Sequence, residues 1–226
     1  MAKRLPAYKL AQAEIKKYIE AHRLKPGDIL PPEGLLAQEM GISRPSLREA
    51  VKALESLGIL ESRHGEGIYV KEFTFDSILE NLPYSMMASE SQVKDILYVR
   101  SNLEVAAIPD VFRKIQPENL RRLQDLVTVM QEKATRGESF GNEDREFHEE
   151  MYRCLNNNFL MQLISLFWRV FNGMDTVVNA KQYDQSSLIS SAQDHADIAA
   201  MLLSKNESGL VAAYRKHYDS IFSRFG

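Results

Sequence analysis

The sequence predicts a mainly α-helical protein built in two parts, and three observations predict it. Between residues 8 and 70, three short helical periods are followed by two short runs around a glycine-containing turn. Beyond "KEFTF" no convincing alternating run recurs, and apolar residues repeat at helical spacing in six or seven segments. Charge divides in the same region: residues 1–71 hold 12 Lys and Arg against 9 Asp and Glu, and the remainder 16 against 22. The expected division is 1–72 and 73–226.

The totals allow this. A chain of 226 residues accommodates one large domain or two small ones. Its 44% apolar residues suffice for real cores, and a net charge of −3 gives no global basic field. The single cysteine, Cys154, excludes an intramolecular disulfide framework and fits a reducing cytosol. The first residues carry positive charge but no apolar signal core. The most apolar stretch, "FLMQLISLFWRVF", is interrupted by Gln162, Ser165 and Arg169 and falls short of the ~20 residues of a membrane span. A soluble cytoplasmic protein is expected, with no membrane partner.

In the first part, residues 8–22 read as a helix with Leu10, Ile15, Tyr18 and Ile19 apolar, broken by Pro26 and Gly27. "PEGLLAQEM" is a short helix stopped by Gly41, and "SRPSLREAVKALESL" another stopped by Gly58. Leu47, Val51, Leu54 and Leu57 form the inner stripe of the latter. "ILESRHGEGIYV" follows as two strands around a turn. Helix, helix, helix and hairpin is the order of a winged helix-turn-helix. Ser43 caps the third helix and Pro45 is tolerated in its first turn. Arg44 and Arg48, four apart, then share one face at the end that enters the DNA major groove in such folds. An arginine fork suits guanine or phosphate. Ser46 between them is placed to reach a phosphate or a base edge. Arg63, His64 and Gly65 form the tip of the wing, where the missing side chain of Gly65 lets backbone approach DNA.

The stretch "LKPGDILPPEGLLAQEMGISRPSLREAVKALESLGILESRHGEGIYV" resembles the N-terminal domain of the GntR family of bacterial transcription regulators. The frame "PGD.LP.E..LA...G.SR...REA...L...G" is intact. The resemblance implies DNA contacts from Arg44, Arg48, His64 and Gly65. One position departs: that family usually has arginine after the glutamate of "LP.E", and this chain has Gly34, so one phosphate or base contact is expected to be missing.

The second part reads as a helical bundle. In "DREFHEEMYRCL", Asp144 and His148 stand four apart along the margin of an apolar stripe. Alone, such a pair is a helix-surface hydrogen bond. Two further histidines lie inside apolar stripes: His195 with Ile198, Ala199 and Leu202, and His217 with Leu210, Tyr214 and Ile221. Buried imidazoles beside a carboxylate cost free energy unless something satisfies them, and a divalent metal does so. Imidazole and carboxylate suit zinc first, with nickel, manganese or iron as alternatives. Four protein ligands close a tetrahedral site or leave positions open in a larger shell.

This part resembles the all-helical FCD ligand-binding domain of the FadR-like branch of the GntR family. The residues that carry it are Arg100 and Glu104, then Asp144, Phe147 and His148, then Asn158, His195 and His217. The resemblance implies metal ligands Asp144, His148, His195 and His217, with open coordination positions facing a small organic acid. Arg100 and Asn158 are weaker candidates for effector contacts, against an ion pair with Glu104 for the first and a cap or turn role for the second. Asn206, where the family commonly has Asp, is expected to cap a helix. Tyr98 and Trp168 read as packing residues.

The expected function is a homodimeric regulator, in all expectation a repressor, whose affinity for a palindromic DNA operator is controlled by a small carboxylate at the metal. The alternatives are a regulator whose metal is structural or is itself the signal, and a helical metallohydrolase with Glu149 or Glu150 as base. Both glutamates fall on helix faces turned away from the Asp144–His148 edge, and no nucleophile constellation or phosphate loop accompanies them. The chain is therefore not expected to be an enzyme.

Overall fold

A computed structural model describes residues 6–75, 90–173 and 184–223. The chain divides into two compact units, residues 1–81 and 82–226, and each is described by itself.

In the first unit, α1 (Ala7–Ala21) follows Pro6, whose fixed φ suits a helix start. The chain turns at Arg23 and at Gly27, whose φ of 90° favours a residue without Cβ. Helix α2 (Glu33–Glu39) and helix α3 (Arg44–Ser56) follow. Ser43 caps α3: its Oγ accepts from the Ser46 amide at 3.3 Å, and Pro45 sits in the first turn. Strands β1 (Leu60–Arg63) and β2 (Gly67–Val70) pair antiparallel with Leu60 opposite Val70 and Arg63 opposite Gly67. Ile29 adds an isolated bridge to Tyr69. The core collects Ala11 and Ile15 from α1, Leu36 from α2, Leu47, Ala50, Val51 and Leu54 from α3, and Leu60 and Ile68 from the hairpin.

Two sequence expectations shift here. Leu57 does not join the inner stripe; α3 ends at Ser56 and Leu57 is 56% exposed. Leu10 is likewise exposed, and the fully buried residues of α1 are Ala11 and Ile15.

The second unit contains six helices among the described residues: α4 (Glu90–Lys114), α5 (Pro117–Thr135), α6 (Gly141–Arg153), α7 (Asn158–Gly173), α8 (Gln185–Leu203) and α9 (Glu207–Phe222). Helix α8 packs on α5 and α9, α5 on α6, and α9 on α4. Caps define several starts. Asp184 Oδ1 accepts from the Ser187 amide at 2.8 Å, and Asn206 Oδ1 from the Gly209 amide at 2.9 Å, the capping role expected of Asn206. Helix α4 runs through Pro109, a residue that ordinarily breaks a helix interior. Ile108 and Val111 on either side are fully buried, so tertiary packing outweighs the lost backbone donor. No helix among the described residues is long and apolar enough to cross a membrane.

Candidate functional site

The exposed end of α3 carries Arg44, Ser46 and Arg48, as the four-residue spacing dictates. Arg48 Nε donates to Glu33 Oε2 of α2 at 2.7 Å, and this ion pair is largely exposed. Ser46 is occupied in the cap, its Oγ 2.8 Å from Ser43 Oγ. The wing tip presents His64 and Gly65, both exposed, with Gly65 at φ 76°. Beside them the Arg63 guanidinium stacks 4.3 Å from the Tyr69 ring centroid.

In the second unit, Asp144, His148, His195 and His217 meet. Asp144 and His148 come from α6, His195 from α8 and His217 from α9. Asp144 Oδ1 lies 3.0 Å from His195 Nε2 and 3.3 Å from His148 Nε2. Each of the three histidines offers a ring nitrogen within 4.8 Å of the others. All three rings are buried, while the Asp144 side chain keeps 20% exposure and gives the cluster one edge toward solvent.

Two of the rings are oriented from behind. His148 Nδ1 lies 2.6 Å from Glu104 Oε2, and His195 Nδ1 lies 2.8 Å from the Ser191 carbonyl. A proton on each Nδ1 satisfies these acceptors and leaves the Nε2 lone pairs turned inward, the tautomer a metal ligand needs. Glu104 is held in turn by Arg100, whose Nε donates to its Oε1 at 2.8 Å, and Arg100 lies 4.4 Å over the Trp168 ring. His217 Nε2 is buried with no hydrogen-bond partner, and His148 Nε2 has none of acceptable geometry. Unpaired inward nitrogens beside a carboxylate are a donor set that fits a divalent cation.

The electrostatics follow from burial and neighbours. Burial opposes the Asp144 carboxylate, but the His195 and His148 imidazoles hold its pKa well below the usual range. Burial also disfavours the Glu104 charge, yet Arg100 and His148 bring its pKa down to about 2. Burial opposes the charge on His148, but the Glu104 carboxylate and the hydrogen bonds to Asp144 and Glu104 together raise its pKa. His217 moves the other way, pushed well below its ordinary value by burial and then by the two other imidazoles. A neutral His217 is ready to ligate without losing a proton.

Residues 7–70 match the model described as bacterial regulatory proteins, gntR family, and residues 95–220 match the FCD domain. The second match alone covers more than half of the chain. The chain belongs to the GntR family and carries an FCD domain. It is 33% identical over 147 residues to the HTH-type transcriptional regulator LutR of Bacillus subtilis, covering 65% of this chain and 67% of that protein. It is 24% identical over 221 residues to the Uxu operon transcriptional regulator of Escherichia coli, covering 96% and 86%. Among solved structures, Streptococcus agalactiae GntR superposes with a TM-score of 0.64 at 22% identity, covering 95% of this chain and 98% of the other, a likeness of fold. The matched domains and relatives are transcriptional regulators, not enzymes.

For this GntR-family chain the remaining expected residues divide. Arg100 is buried in its ion pair with Glu104 and lies in the shell behind His148. Asn158 is exposed in the first turn of α7, and it is Asn157 that caps that helix by accepting from the Leu160 amide at 3.1 Å. Trp168 packs as expected, but Tyr98 is 65% exposed. Glu150, one of the two bases of the hydrolase alternative, is committed elsewhere: it accepts from Asn119 at 2.6 Å and Arg153 at 2.9 Å. Glu149 lies 3.8 Å from Arg145. The sequence marks Glu104 only as the ion-pair partner of Arg100. Its spacing of four from Arg100 carried the ion pair, but its partner His148 lies 44 residues away and has no local signal.

Proposed function

We propose that this GntR-family protein is a metal-dependent, ligand-responsive DNA-binding regulator, with repression as its expected sense. Asp144, His148, His195 and His217 would hold a divalent cation, zinc first. When bound, the cation supplies a positive centre able to anchor a small carboxylate. Burial excludes competing water, and Glu104 and the Ser191 carbonyl keep two imidazoles in register. The exposed edge at Asp144 supports a site that a small molecule reaches. The observation that carries the reading is the convergence of three imidazoles and one carboxylate from three helices, with two inward nitrogens unpaired.

The first unit would read DNA through Arg44, Ser46 and Arg48 in the major groove and His64 and Gly65 at the wing. One such unit offers few contacts, so two copies on a palindromic operator are expected, with binding that weakens steeply with salt. The carboxylate can change operator affinity only through a difference in its affinity for the free and DNA-bound states.

The test combines thermal shift across a panel of small carboxylates, with and without chelator, and fluorescence anisotropy on a selected operator. The expected result is a stabilising carboxylate whose effect vanishes with chelation and which changes operator affinity. Arg48→Ala should weaken operator binding while leaving the carboxylate shift intact. A carboxylate response indifferent to chelator would contradict the reading.

A further inference from the structure

We propose that Gly34 sets operator preference by giving the Arg44 side chain its seat. This rests on the reading of α3 as the DNA-recognition helix. The first turn of α2 faces the exposed arginines of α3 with two different surfaces. Glu33 offers a carboxylate and holds Arg48 at 2.7 Å. Gly34 offers bare backbone, and the Arg44 guanidinium lies across it. A Cβ built on Gly34 would meet Arg44 Nη2 at 3.1 Å, Cζ at 3.5 Å and Nε at 3.8 Å. Arg44 makes no ion pair among the described residues, so shape rather than charge defines where its fork rests.

The backbone does not require glycine at this position. Gly34 lies within helix α2 and, unlike Gly41 and Gly58, is not at positive φ. Glycine is also a poorer helix former than alanine. Its consequence here is the space above it. A single methyl asks the guanidinium to give by a few tenths of an ångström. A longer side chain occupies the volume of the guanidinium itself and moves the fork off α2. Bidentate recognition of a base edge depends on where the fork points. Position 34 therefore acts through Arg44 as a positioning residue, with no contact to DNA of its own.

The experiment is binding-site selection from a randomised DNA pool with the full chain, comparing wild type, Gly34→Ala, Gly34→Gln, Arg44→Ala and the double variant Gly34→Gln/Arg44→Ala. Melting temperatures of each give the folding control, and glutamine, a better helix former than glycine, is not expected to destabilise α2. Wild type should select a defined half-site, and Gly34→Ala should keep it. Gly34→Gln should lose or change preference at the same base pairs that Arg44→Ala loses, by roughly 5- to 150-fold, the range for one bidentate contact. The double variant should match Arg44→Ala. Gly34→Gln selecting the wild-type half-site with wild-type discrimination would overturn the proposal, as would an undiminished shift in the Arg44→Ala background. Wild type selecting no half-site would overturn the DNA-reading assignment itself, and this proposal with it.

Discussion

Glu104 ties the ligand cluster to the rest of the second unit, because it accepts from His148 on one side and Arg100 on the other. Replacing it by glutamine keeps the shape and removes the charge. The His148 ring then loses its anchoring carboxylate, and Arg100 is left buried without a counter-charge. Partners of this kind typically contribute 10- to 100-fold in metal affinity, and breaking a buried pair costs about 3–5 kcal/mol. Glu104→Gln should therefore weaken zinc binding by roughly 10- to 100-fold in a competition titration, with a lowered melting temperature. Unchanged zinc affinity would show that Glu104 does not hold His148 for ligation. The four clustered residues were legible because each has an apolar helical neighbourhood in the sequence. What lies behind them was not: the Ser191 carbonyl is backbone, and the Glu104–His148 contact spans 44 residues.

At the scale of elements, the caps and breaks were the most legible part of the chain. Ser43, Asn206, Gly41 and Gly58 each act where their chemistry places them. Ser43→Ala should lower stability by about 1 kcal/mol, read as a shift in urea midpoint of the first transition, and should also weaken operator binding by loosening the turn that carries Arg44 and Ser46. An unchanged midpoint would mean that the Ser43 cap is not what starts α3. Where local signals failed, packing overruled them. Pro109 reads as a stop, yet Ile108 and Val111 are buried on both sides and the helix continues to Lys114. Leu57 reads as core, yet it follows the last helical residue and turns outward. Asn158 stands beside Asn157, and which of the two caps α7 depends on a one-residue choice of helix start that the run "NNN" does not encode.

For the whole molecule, the two-part charge pattern and the change from mixed to purely helical periodicity already separated a basic head from an acidic body. The head carries its own core, centred on Leu36, Leu47 and Leu54, and the body carries another in which the imidazoles are embedded rather than exposed. Three buried histidines and an aspartate are an expensive arrangement to leave uncompensated, so the central claim is that a cation belongs among them. The most direct test is elemental analysis of the full-length protein and of His195→Ala, each purified, loaded with zinc and freed of excess metal, with circular dichroism to show that both are folded. The account predicts one tightly held divalent ion per wild-type chain and none in folded His195→Ala. A folded wild-type protein that retains no metal after loading, or a His195→Ala variant that retains a full equivalent, would contradict it.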